Sequence, residues 1–472
     1  MVFSSMTFLW IFLPAVLVTY FICPERFRNL LLVLFSLFFY AWGEPKYILL
    51  MLLSVTVNYV SGILLEKYPG RKKLVLFTCV AVNLFLLGYF KYFNFAAETW
   101  NRILTVFHSA GAPAAKEIAL PIGISFYTFQ ALSYVGDVYR GEVKAQKNYL
   151  HMLLYISFFP QLIAGPIVKY HDVEQQINCR RITPDKFAYG IRRFCCGLGK
   201  KVLLANAFAQ VVDDVYSRNL DGVSRKVLWF AALLYMLQIY FDFSGYSDMA
   251  IGLGKMLGFD FQENFNLPYT AVSVKDFWRR WHISLSSWFR DYVYIPLGGN
   301  RKGRVKTYRN LLAVFFLTGL WHGAGWSFVL WGLYHGAFLI LERAFLGKRL
   351  ERMPAFIGRI YTFIVVFWGW ILFRAEDLSV FCVYVKNMFV SHASAVVMAG
   401  YLDKKMIVCV AAGLFFCGFG QMLLERVRKF FPEKRSSGSV SIPQIAGCMA
   451  LFWLSVMALV NDSYNPFIYF RF

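Results

Sequence analysis

Apolar runs too long for an ordinary soluble core recur from one end of this chain to the other, each bounded by a short loop that carries lysine or arginine. Thr7 to Ile22, Ile48 to Leu65, Leu74 to Phe90, Val227 to Phe241, Ile360 to Phe373, Met406 to Leu424 and Ile445 to Val460 are the clearest. About 20 apolar residues in a helix cross the roughly 30 Å hydrocarbon layer while satisfying their own backbone hydrogen bonds. A composition of 58% hydrophobic, 19% aromatic and 16% charged residues over 472 positions departs from the soluble balance in the same direction. The expectation is an all-α polytopic membrane protein with about ten to twelve transmembrane segments, some of them broken or re-entrant around a central cavity.

The net charge of +22 is not read as a nucleic-acid footprint, because the basic residues lie in loops between apolar runs. Lys67 to Lys73, Arg301 to Arg309, Arg343 to Arg352 and Arg426 to Arg435 are the densest. Such loops collect on the cytoplasmic side, where they also meet anionic lipid headgroups. Placing them there, with Glu25 to Arg28, puts both chain ends outside. The first segment has neither a basic n-region nor a small-residue cleavage site and reads as an uncleaved span. Nine cysteines without a C-x-x-C pair give no sign of a disulfide framework or zinc site, and no metal is expected. The vicinal Cys195 and Cys196 read as packing residues.

Within this frame, Thr318-Gly-Leu-Trp-His-Gly-Ala-Gly-Trp326 places one imidazole, His322, among glycines in an apolar segment. Ionisable groups at bilayer depth usually face a cavity or a substrate path, since burying them unpaired costs several kcal/mol. The plain alternative is a core histidine satisfied by a neighbouring helix. Basic loops flank this segment on both sides, so the chain enters and returns on one face. Asn310 to Leu320 is about 16 Å of helix, which puts a break over Gly319 to Gly325 near mid-membrane. His322 is then the turn of a broken hairpin, where irregular backbone is tolerated only in protein or beside a cavity.

A second histidine, His282, lies in Val274 to Tyr292. Plotted as one helix, Val274, Phe277, Trp278, Trp281, Leu285, Trp288, Phe289 and Tyr292 share an arc of about 120°, with Lys275, Arg279, Arg280 and Arg290 outside it. His282 falls just beyond the arc's edge. Such a helix suits the membrane interface, and its arginines suit a phosphate or an acidic carrier surface, although lipid headgroups account for each arginine singly. Asp242 and Asp248 stand in an apolar context, but about 240° apart around a helix, so they do not form a carboxylate pair. One is expected to pair with a buried arginine or histidine. Pro121 to Tyr127 and Phe158 to Pro166 are interruptions of the kind found where helices bend around a site. No G-x-S-x-G elbow, Walker sequence or H-E-x-x-H occurs.

The chain resembles the membrane-bound O-acyltransferases, in the branch of alginate O-acetylation and teichoic acid D-alanylation proteins. The resemblance rests on Pro121 to Asp137, Phe158 to Pro166, Phe241 to Gly258, Asn264 to Arg301 and Trp321-His322-Gly323. Its most specific part is Trp278-Arg-Arg-Trp-His-Ile-Ser-Leu-Ser286 followed by Tyr294-Ile-Pro-Leu-Gly-Gly-Asn-Arg301. It implies one membrane domain over 1–472, with helices in 1–115, a catalytic core in 116–345 and further helices in 346–472. His322 corresponds to the family's essential histidine and His282 to its second signature position.

The implied activity is acyl transfer, most often of acetyl, from a cytoplasmic thioester to a polysaccharide of the bacterial cell envelope. The protein would sit in the inner membrane and work with an external SGNH-type transferase. Acetyl-CoA or an acylated carrier protein would be the donor, with no tightly bound cofactor. A histidine near neutrality suits removal of the hydroxyl proton, and Trp321, Trp326 or backbone amides are candidate oxyanion donors. Phe467-Ile-Tyr-Phe-Arg-Phe472 resembles the F-x-Y-x-x-F ending of the small peptide that accompanies the D-alanylation branch. Tyr469 is thus a candidate acyl relay, the alternative being an aromatic interfacial anchor. Direct acylation of a lipid or protein, and a non-enzymatic transporter of glycan precursors, are the competing functions.

Overall fold

The computed structural model describes residues 1–107, 117–390, 396–423, 442–462 and 464–468. Helices account for the regular structure, and the one β-type pairing among the described residues is an isolated bridge between Val223 and Val396. Eight helices among the described residues are long and apolar enough to cross a membrane. They include Ile48–Lys67, Arg225–Met256, Ala355–Arg374 and Ile442–Asn461, with Phe8–Ile22 and Leu378–Phe389 as shorter apolar helices. Large apolar side chains such as Leu49, Phe77, Ile442 and Val460 stand exposed, a surface suited to lipid. The chain is thus a multi-pass membrane protein. The basic stretch Arg426 to Arg435 lies outside the described residues.

Two compact units divide the chain. The first comprises Met1–Val2, Thr7–Ala188 and Leu253–Gln262; the second comprises Phe3–Met6, Tyr189–Gly252 and Glu263–Phe472. In the first, Ile48–Lys67 packs against Lys72–Leu87 and Ile124–Arg140. Buried Asn58 and Asn83 exchange side-chain hydrogen bonds at 3.0 and 3.2 Å, so two polar groups on apolar helices satisfy one another. The two sequence interruptions meet here. Gly123 takes a left-handed φ of +79°, and a Cβ there would lie 2.8 Å from the Leu162 carbonyl oxygen.

The second unit holds the histidine hairpin. Its outgoing arm, Arg304–His322, is 19 residues, about 28 Å, and its return arm is Trp326–Leu341. The irregular turn is confined to Gly323–Gly325, shorter than the Gly319 to Gly325 break expected from the glycines. Gly319 serves a different purpose. A Cβ on it would lie 2.3 Å from the Phe328 carbonyl oxygen, and one on Gly332 would lie 2.2 Å from that of Phe315. Small residues at those two points let the arms approach to backbone contact, which is what drives helix pairing in lipid. From Arg309, the last basic residue of the outgoing arm, to His322 is about 20 Å of helix, deeper than the earlier 16 Å.

Candidate active site

The stretch Val274 to Tyr292 is not one helix. Val274–Arg280 stops, His282 takes a left-handed backbone (φ +45°, ψ +54°), and Ile283–Phe289 begins again. Positive φ is uncommon outside glycine and persists only where the surroundings over-determine it. Asn264 does so. Its carbonyl oxygen accepts the Ile283 amide at 3.0 Å, and its side-chain Oδ1 accepts from the Ser284 amide at 3.2 Å and Ser284 Oγ at 2.9 Å. Asn266 adds an amide bond to the Arg280 carbonyl at 2.9 Å. The kink turns His282, on the arc's edge in a straight helix, wholly inward: it is fully buried.

Asn264 also sets the chemistry of that ring. Its Oδ1 lies 3.1 Å from His282 Nδ1, and its Nδ2 donates to Ser247 Oγ at 3.1 Å. With the amide orientation fixed by the Ser284 N–H, Nδ1 must carry the proton and Nε2 the lone pair. His282 Nε2 has no hydrogen-bond partner among the described residues. His322 arrives at the same tautomer by another route: its Nδ1 faces the Thr318 carbonyl oxygen at 2.7 Å, one turn back on its own helix. A carbonyl only accepts, so Nδ1 donates and Nε2 is the basic atom.

The two imidazoles stand with centroids 6.3 Å apart at 82°. Trp321 lies beside both, 5.0 Å from His322 and 5.6 Å from His282. Phe243, Trp331 and Phe373 complete the aromatic enclosure at 4.6 to 5.5 Å. Each Nδ1 faces a neutral oxygen rather than a carboxylate, so neither ring has a partner behind it that would fix it as a cation, and both rings are buried.

A third histidine, His335, was not singled out from the sequence. It is buried on the return arm, against Trp331 at 5.2 Å and Trp278 at 5.3 Å, and neither ring nitrogen has a hydrogen-bond partner among the described residues. Asn264 is the other functional residue missed. Its signal was an amide 18 positions before a signature histidine, which carries no recognisable period.

The other candidates separate by partner. Arg280 is spent on Asp276 at 3.0 Å, and Arg290, largely exposed, on Asp291 at 2.7 Å. Arg279 lines a cavity of about 770 Å³ with Lys275, Arg343, Lys348 and Asn300, where Asp276, Glu342 and Glu351 offset part of the positive charge. A second cavity of about 410 Å³ shares Lys275 and Arg279, is bordered by Arg290 as well, and runs past Trp278 and Phe315 to Thr318, whose carbonyl holds His322. Asp248 pairs with Arg193 at 2.7 Å and Lys200 at 2.6 Å, and Asp242 pairs with Lys201 at 2.7 Å. The adjacent lysines thus reach two different faces of Arg225–Met256. Trp326 opens the return arm and is half exposed. Tyr469 lies outside the described residues.

A third cavity, of about 640 Å³, is lined by Tyr235, Gln238, Phe328, Phe373, Arg374 and Ile468. It meets the C-terminal end of Ala355–Arg374, whereas the 770 Å³ cavity is lined by Gly347, Lys348, Leu350 and Glu351, just before that helix begins. Twenty residues of helix, about 30 Å, separate the two. Openings at both ends of one spanning helix therefore converge on the surroundings of His322: Thr318 on one side and Phe373, 5.5 Å from the ring, on the other.

Two buried imidazoles, each with Nδ1 held by an oxygen acceptor and lying near two cavities, are an arrangement suited to proton transfer away from bulk water. The chain belongs to the membrane-bound O-acyltransferase family, whose model matches residues 34–385, and it is an O-acyltransferase. It is 40% identical to a probable alginate O-acetylase AlgI of Azotobacter vinelandii over the whole of both chains. A peptidoglycan O-acetyltransferase of Helicobacter pylori is 36% identical, over 82% of this chain and 80% of its own. A teichoic acid D-alanyltransferase of Bacillus subtilis is 30% identical over 54% of this chain and 69% of its own.

Proposed function

We propose that this protein takes an acetyl group from a cytoplasmic thioester and delivers it across the bacterial inner membrane for O-acetylation of an exported or cell-envelope polysaccharide. The approach of two cavities to residues in contact with His322, Thr318 from one side and Phe373 from the other, carries this reading, because a path completed there would let an acyl group cross while donor and acceptor stay on their own sides. The alginate and peptidoglycan acetylases among the relatives favour acetyl and a glycan acceptor.

On the donor side, the cavity with Lys275, Arg279, Arg343 and Lys348 suits the phosphate of acetyl-CoA or of a carrier protein's pantetheine arm, and the 410 Å³ cavity beyond it suits the thin arm itself. At the site, His322 Nε2 takes the proton of the attacking hydroxyl as its oxygen bonds to the thioester carbonyl carbon. Trp321, Trp326 or amides of the Gly323–Gly325 turn serve the oxyanion, and the thiolate leaves as the carbonyl reforms. His282 assists from 6.3 Å as second base.

Tyr469 is the proposed first acceptor. It directly follows Ile468, which borders the cavity reaching Phe373, and a tyrosyl ester there would pass the acetyl to an external SGNH-type transferase. Loss of acetylation in Tyr469→Phe at normal membrane levels supports the relay, and full activity ends it. The whole reading is tested by mass analysis of the envelope polysaccharide from a deletion strain. Acetyl should vanish and return with the wild-type chain but not with His322→Ala. An unchanged polysaccharide with a lost lipid or protein acyl group would redirect the acceptor. Substrate movement that survives His322→Ala would indicate a transporter.

A further inference from the structure

Lys201 and Asp242 form an ion pair at 2.7 Å with side chains only 3% and 2% exposed. A pair taken so far from water is stable only when further hydrogen bonds complete both partners, and an apolar pair of similar volume often does as well. Here the completing groups are backbone atoms of one short segment. Lys201 Nζ donates to the Pro466 carbonyl oxygen, and the Ile468 amide donates to Asp242 Oδ2 at 2.9 Å.

Neighbouring side chains grip the same segment. Phe467 stacks on Tyr246 at 4.8 Å, and Tyr246 stacks in turn on Phe3 at 4.5 Å. Asn465 Nδ2 donates to the Ser4 carbonyl oxygen at 2.8 Å and its Oδ1 accepts from Asn206 Nδ2 at 3.2 Å. Tyr464 Oη reaches the Asp213 carboxylate, which also pairs with Arg374 at 2.9 Å. The segment ends at Ile468, in the wall of the 640 Å³ cavity that reaches Phe373 beside His322.

We propose that Lys201 and Asp242 are positioning residues that clamp the backbone of Pro466 to Ile468 as a wall of that cavity, and that acyl transfer depends on this seating. The inference rests on the acyl-transfer reading for its consequence, but not for the clamp itself. Both charges are directed at peptide groups, so sequence within the segment matters less than its being held. Orientation explains why a charged pair, rather than an apolar one, occupies so dry a position.

The test uses the full-length protein in nanodiscs. Lys201→Met/Asp242→Leu removes both charges without stranding either, which protects the fold, and Phe467→Ala loosens the segment while leaving both charges in place, at the cost of the ring that lies 5.9 Å from Lys201 Nζ. Amide exchange over 464–468 is expected to accelerate by about tenfold or more in both variants, with the rest of the second unit unchanged. In the double variant, kcat for transfer to the acceptor should fall about tenfold or more while KM for the thioester donor stays within about twofold, a split that general loss of structure would not produce. Unchanged exchange over 464–468 in the double variant overturns the clamp. Accelerated exchange with undiminished kcat overturns the positioning role. If the wild type transfers no acyl group from any thioester and exchange still accelerates, the clamp stands and the acyl-transfer reading fails.

Discussion

The first unit and the second each hold a histidine cluster, and the two are built on opposite electrostatic plans. In the first, His171 places Nδ1 2.9 Å from Asp137 and Nε2 3.2 Å from Asp172, while Arg140 bridges Asp137 at 2.7 Å and Glu142 at 3.1 Å. The carboxylate of Asp137, then that of Asp172, pushes the His171 pKa up to about 10. The ring is a fixed cation with both nitrogens committed as donors, fit to brace a fold and unfit to take a proton. Asp137, Glu142 and His171 have metal-ligand spacing, yet the donor atoms are already engaged with each other and with Arg140. In the second unit, His282 and His322 face an amide and a peptide carbonyl, and neutral acceptors leave Nε2 basic. Burial alone does not make a base; the charge of the group behind the ring does.

The sharpest way to break this contrast is His322→Ala, expected to lower transfer about 10³-fold at unchanged membrane levels, measured as acetyl released from donor into acceptor. Near-normal turnover would reduce His322 to packing. A subtler change imports the first plan into the second unit. Asn264→Asp puts a carboxylate behind His282 and favours its imidazolium, so activity at pH 7 should fall about tenfold to a hundredfold and recover as pH is raised. A pH–rate profile whose acid limb stays in place would mean that His282 does not exchange protons in the cycle.

Smaller effects separate the arginines. Arg279 borders both donor-side cavities, so Arg279→Gln is expected to raise KM for the thioester donor about tenfold at constant kcat, whereas Arg290→Gln, at a residue that borders only the smaller one and is already paired with Asp291, should raise it about threefold or less. The smallest effect belongs to the first unit. Asp137→Asn should lower the melting temperature by about 2–4 °C near pH 6 and leave kcat within about twofold. The sign follows from linkage: the His171 pKa is raised on folding, so its contribution is full below the unfolded value of about 6.5 and is lost as pH rises through about 10. The difference from wild type should therefore narrow at high pH to the part contributed by Arg140. A large kcat loss in Asp137→Asn would place His171 in the reaction and dissolve the contrast.

What could be read in advance depends on the range of the physics involved. Long apolar runs must cross a membrane as helices whatever surrounds them, and glycines beside a histidine in an apolar segment mark a turn, so the all-α class and the hairpin turn after His322 were legible. The Gly323–Gly325 turn came out shorter because Gly319 and Gly332 serve the close approach of two arms, a demand set by the partner helix. His282 shows the same limit. Its helical arc was sound for each half of Val274 to Tyr292, but the left-handed kink comes from Asn264, which no local periodicity connects to it.

The sequence by itself determined the membrane class, the hairpin and the chemical kinds of side chain available, because hydrophobic length and backbone satisfaction are local necessities. Only the tertiary structure decided which nitrogen of each histidine is held by an acceptor, which arginines border a cavity and where Lys201 and Asp242 spend their charges. Those outcomes depend on the one or two polar atoms that folding brings within about 3 Å, a distance over which a hydrogen bond forms or fails.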